Sequence, residues 1–307
     1  MDQPLLLHSL AAARGLLLGC LDAAGARRVC EIGSEAGGMT EILVERAERD
    51  EGWVWTVDPH PAVGLRRLAG QGAPLTIVRG LSPAALADVP ACDAYLLDGD
   101  HNHHVVAGEL REIATRAPGA LVVVHDCGWP FARRDAYYQP DALPASGVHP
   151  HAFDRGVAPG EPSLVDGGLR GQGSFAVAER EGGPRNGVLT AVEDHLAERE
   201  ELAFALVPSV FGVGIAYPRD ADWAPAVAEL LAPWDRSELL ALLERNRIDL
   251  YLRVLALQDE LARASARNDR VIADYERRAA ADSAELATLR LQRAREQERA
   301  GSAAGGT

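Results

Sequence analysis

A glycine-rich turn between residues 28 and 40 constrains the fold of this chain more than any other stretch. A short apolar run at 29–32 ends at Gly33, and Gly37 and Gly38 precede a segment with helical spacing at 39–46. Glycine suits a backbone with positive φ and a close approach of ligand to main chain, and a helix N-terminus favours electronegative groups. The pattern predicts a nucleotide-type site, with a purely structural turn as the alternative.

Carboxylates near this turn indicate which kind of ligand it would bind. Glu31 would repel a pyrophosphate, but it can accept hydrogen bonds from a ribose or attract a cationic amino-acid group. A second apolar run at 53–57 ends at Asp58, roughly twenty residues after the glycines, where a dinucleotide fold places an acid that holds ribose hydroxyls. The residues predicted to bind a cofactor in this region are Glu31, Gly33, Ser34, Gly37 and Asp58.

Apolar runs alternate with helical segments over the first two thirds of the chain. Strands are predicted at 29–32, 54–57, 75–78, 94–97 and 121–124, with helices at 39–46, 60–68, 83–87 and 105–115. This order is typical of an α/β, Rossmann-like, doubly wound parallel sheet. Runs at 202–206 and 211–217, joined by a short turn, add a C-terminal antiparallel hairpin and bring the sheet to seven strands.

Composition divides the chain into further segments. Residues 1–27 are predicted to form an N-terminal helix before a domain at 28–220, and the irregular, proline-rich stretch 127–186 is predicted to be a substrate lid, with disorder as the alternative. The stretch 221–300 is predicted to be a helical extension, since 235–300 lacks glycine and proline and Leu243, Leu250, Leu257 and Leu261 follow heptad spacing. It would pair two copies of the chain or cap its own domain, and 301–307 would be a disordered tail.

Carboxylates and histidines follow the fourth and fifth predicted strands. The fourth strand is followed by Asp98, Asp100 and His101, and the fifth by His125 and Asp126. If these strands are neighbours, the carboxylates can hold Mg²⁺ or Mn²⁺ together with a substrate hydroxyl. We predict Asp98, Asp126 and Asp100 as metal ligands and His101 and Asp98 as catalytic residues. The alternative is that Asp100 caps a helix and that His103 and His104, next along the chain, are simply exposed.

Aromatic and basic side chains begin the 127–186 insert. Such side chains stack on sugar or aromatic rings and bind anionic groups. The predicted substrate-binding residues are Trp129, Arg133, Arg134, Tyr137, Tyr138 and Arg185. A structural role in ion pairs and a local core is the alternative.

Together these motifs resemble a known family. Glu31-x-Gly33-x-x-x-Gly37 followed by Asp58 is similar to the first two motifs of class I S-adenosylmethionine-dependent methyltransferases. The runs Asp-Gly-Asp-His from Asp98, Val-x-x-Glu-Leu at 106–110, His-Asp-x-x-Trp-Pro at 125–130 and Arg-Arg-Asp-x-Tyr-Tyr at 133–138 resemble the bacterial macrolide-sugar and antibiotic-tailoring O-methyltransferases.

The resemblance implies a cofactor, a metal and a reaction. The cofactor would be S-adenosylmethionine, with Asp98 also in its site, and a divalent metal would be held by Asp98 and Asp126. Cys127 stands where the sugar methyltransferases carry a second acid, so Asp100, His125 or water would supply the third ligand. The expected activity is methylation of a hydroxyl on a specialised metabolite or glycan sugar. The alternatives are a metal-dependent hydroxylase-like enzyme or hydrolase on the same scaffold, and a non-catalytic oligomerising protein that binds the cofactor.

The net charge and the cysteines limit which kinds of partner and compartment suit this chain. A net charge of -14 and a pI near 5.1 argue against nucleic acid as the main partner. No run reaches the roughly 20 apolar residues that a membrane span needs. Four cysteines without close paired spacing favour a reducing cytoplasm. We therefore expect a cytoplasmic enzyme that binds a small-molecule or sugar acceptor and forms a homo-oligomer through its C-terminal helix.

Overall fold

The structure is a computed structural model, and it describes residues 6–304. These residues fall into two compact units that divide after Arg253, inside the last helix. The first unit contains the whole of the large sheet and the insert, and the second is helical.

The secondary structure follows the order predicted from the sequence. The strands, in chain order, are β1 (Arg28–Ile32), β2 (Trp53–Val57), β3 (Leu75–Val78), β4 (Ala94–Leu97), β5 (Leu121–Val124), β6 (Ala136–Tyr137), β7 (His151–Ala152), β8 (Ala176–Ala178), β9 (Leu202–Val207) and β10 (Val213–Pro218). The α-helices are α1 (Arg14–Ala23), α2 (Gly38–Asp50), α3 (Val63–Gly70), α4 (His103–Arg116), α5 (Val188–Ala197), α6 (Ala224–Leu231) and α7 (Glu238–Ala304). Short 3₁₀ helices lie at Leu10–Ala13, Ala84–Asp88, Pro140–Ala142 and Ala145–Gly147.

Seven strands form one sheet in the order β3-β2-β1-β4-β5-β10-β9. β1 to β5 are parallel, and β10 is antiparallel to both of its neighbours. The Rossmann-like sheet with a final antiparallel hairpin is therefore confirmed. β10 starts two residues later than predicted because Val210, Phe211 and Gly212 all have positive φ and form the turn that precedes it.

The register of the parallel strands aligns their carboxyl ends. Ile32 lies opposite Val57 on one side and Leu97 on the other, and Leu97 lies opposite Val124. The residues that follow these four strands therefore lie along one edge of the sheet, which is where open α/β sheets bind ligands.

The core covers both faces of the sheet. β4 and β5 are buried at every position, as expected for parallel strands with helices on each side. One face packs against α1, α2 and α6, and the other against α4, α5 and part of the insert. Val227 and Leu231 of α6 are fully buried in the first of these clusters, so α6 is part of the domain, although the sequence-based division placed it in the extension.

The first turns of α7 also pack on the domain. Ile248 is buried, Glu244 accepts a hydrogen bond from the amide of Phe211 at 2.8 Å, and the guanidinium of Arg247 lies 4.9 Å from the Phe211 ring centroid. Arg247 also donates to the carbonyl of Leu7 at 2.7 Å. Helix α7 continues to Ala304, so 301–304 is helical where a disordered tail was expected, and 305–307 lie outside the described residues.

The insert at 127–186 has structure of its own, with a small antiparallel sheet in the order β6-β8-β7. Its base is held by Asp135, whose carboxylate accepts hydrogen bonds from the amide of His103 at 2.8 Å, the amide of Gly187 at 2.6 Å and the hydroxyl of Tyr137 at 2.8 Å. Asp135 thus ties the insert to the start of α4 and to the start of α5.

Two further observations concern membrane-spanning helices and the cysteines. Within residues 6–304, the structure has no helix that combines the length and apolarity needed to cross a bilayer. Its four cysteines are free thiols, and all four are buried.

Replacing Gly33 tests whether the turn is required for the fold itself. Gly33 has φ +83°, and a Cβ there would lie 2.2 Å from the carbonyl oxygen of Asp98. We expect Gly33→Ala to lower the free energy of unfolding by about 2 to 4 kcal/mol, through left-handed strain and overpacking. Urea denaturation measures this, and Gly64→Ala is the control, because Gly64 is an exposed helical glycine with open space around it. A loss below about 1 kcal/mol would contradict the close approach of β1 and β4.

Glu109 on α4 should make the stability of the fold dependent on pH. Burial raises the pKa of Glu109 from 4.5 to about 8, outweighing the hydrogen bond from the Ser82 hydroxyl. The folded chain then keeps a proton that the unfolded chain releases, so the free energy of unfolding falls as pH rises between about 4.5 and about 8. We expect Glu109→Gln to make this fall shallower in urea denaturation at pH 5 and pH 8. The control is Glu112→Gln, at a partly exposed position on the same helix, and equal pH dependence in the Glu109 variant and wild type would refute the prediction.

Candidate active site

The glycine turn follows β1 and leads into α2. The amide of Gly33 donates to the carbonyl of Val57 at 2.9 Å, and Gly37, at φ +92°, is the N-cap of α2. A Cβ at Gly37 would lie 2.8 Å from the side chain of Leu65. Both glycines are therefore required by backbone conformation and packing, and the turn leaves the N-terminus of α2 at the ligand edge of the sheet.

Asp58 and Ser34 lie together beside this turn. Oδ2 of Asp58 accepts from the amide of Ser34 at 2.9 Å and from its hydroxyl at 2.8 Å, while Oδ1 accepts from the amide of His60 at 2.7 Å. Among the described residues, Oδ1 accepts this one hydrogen bond, so a second lone pair of that oxygen can accept from a ribose hydroxyl.

Glu31 differs from its sequence-based interpretation. It is almost fully buried, and the Thr40 hydroxyl donates to its Oε2 at 2.5 Å. Burial, with a smaller contribution from the Asp98 and Asp58 charges, raises the pKa of Glu31 to about 8, against the lowering effect of the Thr40 hydrogen bond. At neutral pH the group is therefore mainly a neutral acid that supports the turn from below. Thr40 was not predicted from the sequence.

Asp98, His101 and Asp126 form a compact group at the ends of β4 and β5. One ligand atom from each of these residues lies within 4.8 Å of the others, and Nδ1 of His101 is 3.0 Å from Oδ2 of Asp126. The backbone of Asp126 has φ +57°. Residues other than glycine seldom adopt this conformation, and where they do they often lie in functional sites. The predicted convergence of the two strand ends is present in the structure.

His125 lies between the two carboxylates. Its Nδ1 is 2.8 Å from Oδ1 of Asp98 and 3.2 Å from Oδ2 of Asp126, and its Nε2 is 2.8 Å from the carbonyl oxygen of Val210. A carbonyl can only accept, so Nε2 carries a hydrogen, and Nδ1 facing two carboxylates carries one as well. Burial opposes this charge, but Asp98 and Asp126 together raise the pKa of His125 well above its ordinary value. His125 is therefore an imidazolium.

The two neighbouring histidines also change the pKa of Asp126. Burial alone would raise the pKa of its carboxyl, yet His101 and His125 outweigh that effect and lower it. Asp126 is thus ionised although it is buried.

The turn at 210–212 supports this arrangement from the other side. The amide of Gly128 donates to the carbonyl of Phe211 at 2.5 Å, and the amide of Cys127 donates to the carbonyl of Gly212 at 3.0 Å. These bonds fix the Val210 carbonyl against His125. The sequence predicted a short turn before residue 211, but not that Phe211 and Gly212 belong to it, because apolar residues such as Val210 and Phe211 rarely take positive φ.

Asp98, Asp126 and His101 together offer two carboxylates and one imidazole as metal ligands. Such a mixed set suits a divalent cation that accepts both oxygen and nitrogen, such as Mn²⁺, Fe²⁺ or Zn²⁺, better than Mg²⁺, which prefers oxygen. The donor set contains His101 where Asp100 was expected, and Asp100 instead accepts a long, 3.4 Å hydrogen bond from the amide of Tyr138. Cys127, in the position of the family's second acid, is buried.

The residues that follow Asp100 start helix α4. Asn102, and not Asp100, caps α4, since its side chain accepts from the amide of Val105 at 2.9 Å. His103 is buried, with Nε2 2.8 Å from Asp194.

Aromatic rings form one wall of the group. The ring of His101 stacks on Phe131, with centroids 5.7 Å apart and an angle of 5°, and lies 5.9 Å from the ring of Tyr138. Phe175 meets both Phe131 and Tyr138 edge-on. Tyr138 is half exposed, so it presents a ring beside His101 to solvent or to a ligand.

The other predicted substrate residues have different surroundings. Arg134 and Tyr137 are 1% and 0% exposed, which makes them part of the packing of the insert and not of an acceptor pocket. The guanidinium of Arg134 donates to the carbonyls of Ala178 and Pro162. Arg133 makes a bidentate ion pair with Glu193 of α5 at 2.5 and 2.7 Å. Trp129 is half buried, and Arg185 is exposed.

Comparison with known proteins gives one family match. A family model described as a methyltransferase domain matches residues 30–127. No curated protein matches the sequence.

Solved structures with a similar chain path are O-methyltransferases. A putative O-methyltransferase from Klebsiella pneumoniae is 18% identical, with 69% of this chain and 82% of that chain covered, at a TM-score of 0.41. TomG from Streptomyces achromogenes, solved in complex with SAM, has the same identity, coverage and score. An O-methyltransferase from Bacillus cereus in complex with SAH is 16% identical over 70% of this chain and 84% of that chain, at a TM-score of 0.41.

The family match covers β1 to β5 together with the glycine turn and both acidic strand ends. These are the elements that the sequence motifs and the sheet topology had already brought together at one edge. Residues 30–127 of the chain therefore match a methyltransferase domain, on a Rossmann-like sheet.

Proposed function

We propose that this methyltransferase transfers the methyl group of S-adenosylmethionine to a hydroxyl of a small specialised metabolite or a sugar, with a divalent cation at the acceptor. The observation that carries the proposal is the group formed by Asp98, His101 and Asp126, one strand away from the glycine turn. Donor and acceptor sites would then share the carboxyl edge of β1, β4 and β5.

The cofactor would occupy the crevice above the turn. Asp58 would accept from the ribose hydroxyls through the free lone pair of Oδ1, and the backbone at Gly33, Ser34 and Gly37 would line the crevice. Glu31 would hold the turn in place without a full charge. Asp98, which follows the strand beside β1, would face the cationic end of the cofactor.

The bound cofactor supplies an activated methyl group, and the chain's residues prepare the acceptor. His101 is positioned as the base: its Nδ1 is held by Asp126 at 3.0 Å, its ring is fixed on Phe131, and Nε2 is then the nitrogen left to take the hydroxyl proton. Tyr138 would stack on the acceptor at the open side of His101. Half-buried Trp129 and exposed Arg185 stay in the proposal as further acceptor contacts at the edge of the insert, which would act as the lid.

A cation held by Asp98 and Asp126 would lower the pKa of the acceptor hydroxyl. His101 would serve either as its third ligand or as the base. Asp126 carries negative charge at the site because His101 and His125 lower its pKa.

A second function is favoured by the donor set. Mixed carboxylate and histidine donors also occur in iron enzymes that activate oxygen and in zinc hydrolases, although those sets have two histidines and one carboxylate. Iron or zinc that is retained through purification would favour this alternative, whereas turnover supported by Mg²⁺ or Mn²⁺ would favour the methyltransferase.

We place the enzyme in the cytoplasm, since four buried free thiols suit a reducing compartment. We also propose that it works as a homo-oligomer assembled through α7.

Cofactor binding tests the donor half of the proposal. We expect S-adenosylmethionine to bind in a calorimetric titration and Asp58→Asn to weaken binding about tenfold, the loss of one charge-assisted hydrogen bond. Asp220→Asn is the matched control, because Asp220 is exposed and follows β10, which ends at the opposite edge of the sheet. No binding by wild type at high micromolar concentration, or equal affinities for the two variants, would sink this assignment.

Metal binding tests the acceptor half. We expect one Mn²⁺ per chain by electron paramagnetic resonance, and we expect Asp126→Asn to abolish binding and to lower turnover at least about 100-fold. Asp100→Asn is the matched control and should keep Mn²⁺, because its carboxylate lies outside the donor set. The opposite outcome, loss of Mn²⁺ in the Asp100 variant alone, would show that the donor set is misassigned.

A further inference from the structure

Helix α7 carries a stripe of apolar side chains along residues 250–275. With heptad positions lettered a to g, position a is Val254, Leu261, Asn268 and Tyr275, and position d is Leu250, Leu257, Ala264 and Val271. We call these eight residues the α7 seam. Its large apolar members Leu250, Leu257, Leu261, Val271 and Tyr275 are 52 to 71% exposed. An apolar stripe of this length, interrupted at Asn268, on a water-facing helix marks a binding surface.

We propose that a second copy of this chain covers the α7 seam, and that the two helices run antiparallel. This orientation rests on the proposed homo-oligomer and does not depend on methyl transfer. Two-stranded coiled coils bury positions a and d, and the charges at the flanking positions e and g decide orientation and register.

The g positions carry alternating charges. They are occupied by Arg253, Glu260, Arg267 and Asp274. In an antiparallel pair, g residues of one helix face g residues of the other. Glu260 then faces Arg267 of the second copy and, by symmetry, Arg267 faces its Glu260. Arg253 faces Asp274 in the same way, although Asp274 also pairs with Arg277 in its own helix.

The alternation of charge also selects one register. Sliding the antiparallel pair by one heptad would place Glu260 against Glu260 and Arg253 against Arg267, so that like charges meet on both sides. Like charges at such close positions are destabilising.

The core and the e positions fit the same register. Position a of one helix meets position d of the other, which pairs Val254 with Val271 and the large Leu261 with the small Ala264. At the e positions, Tyr251 meets Ile272, which is itself more than half exposed, and Gln258 meets Ser265.

A parallel pair uses the charges less well. There each g residue faces an e residue one heptad further on, so Glu260 would face Ser265, Arg267 would face Ile272 and Asp274 would face Ala279. None of these contacts brings opposite charges together. A parallel pair would gain one contact, Asn268 against Asn268, which is a known determinant of register. The antiparallel pair has several charge pairs against this one asparagine contact, so we favour the antiparallel orientation.

Charge reversal on the full-length chain tests both partner and orientation. Sedimentation equilibrium should show a wild-type dimer, and Glu260→Arg or Arg267→Glu alone should weaken it about 10- to 30-fold, since each turns two attractive contacts into repulsive ones. The double variant, and a mixture of the two single variants, should restore wild-type affinity. Arg270→Glu, at position c outside the interface, is the control.

The orientation has a second readout. Because the four native cysteines are buried, a spin label on Ser283→Cys reports on α7 alone. At 1.5 Å per residue the two labels lie about 60 Å apart in the antiparallel dimer and below about 20 Å in a parallel one. A wild-type monomer at high micromolar concentration, a dimer indifferent to the charge reversals, or a short label distance would each overturn the proposal. Circular dichroism of every variant confirms that α7 remains helical.

Discussion

The candidate site depends on one buried contact, in which the imidazolium of His125 lies between Asp98 and Asp126. Nδ1 of His125 faces both carboxylates, and the Val210 carbonyl accepts from Nε2 and so fixes the orientation of the ring. His125 and His101 lower the pKa of Asp126, so this buried carboxyl is ionised. In that form Asp126 can orient His101 and take part in binding a cation.

The same contact links distant parts of the chain to the site. Val210 belongs to the turn that Glu244 and Arg247 of α7 hold through Phe211. The start of α7 therefore supports the candidate site, while the apolar side chains of the α7 seam are exposed further along. One helix in this way serves both the stability of the site and, in our proposal, the assembly of the enzyme.

Much of the fold could be predicted from the sequence, because each parallel strand is a short, mainly apolar run that is followed within two residues by a glycine or a carboxylate. Alignment of the strand ends then brings Asp58, Asp98 and Asp126 to one edge without further information. That His101 and not Asp100 joins Asp98 and Asp126 could not be predicted, since the direction of each side chain depends on the backbone of the loop after β4 and not on the spacing of the residues. Burial of Arg134 and Tyr137 was equally hidden, because it arises from the tertiary structure of an insert without periodicity.

A crystal structure of the complex with S-adenosylhomocysteine and Mn²⁺ tests the central claim most directly, because it shows where cofactor and cation lie relative to the strand ends. We expect the ribose hydroxyls to donate hydrogen bonds to Asp58 and the sulfur to point at Asp98. We expect Mn²⁺ to bind between Asp98 and Asp126. A cofactor bound away from the glycine turn, or a cation bound elsewhere while His101 and Asp126 stay free of it, would contradict the account.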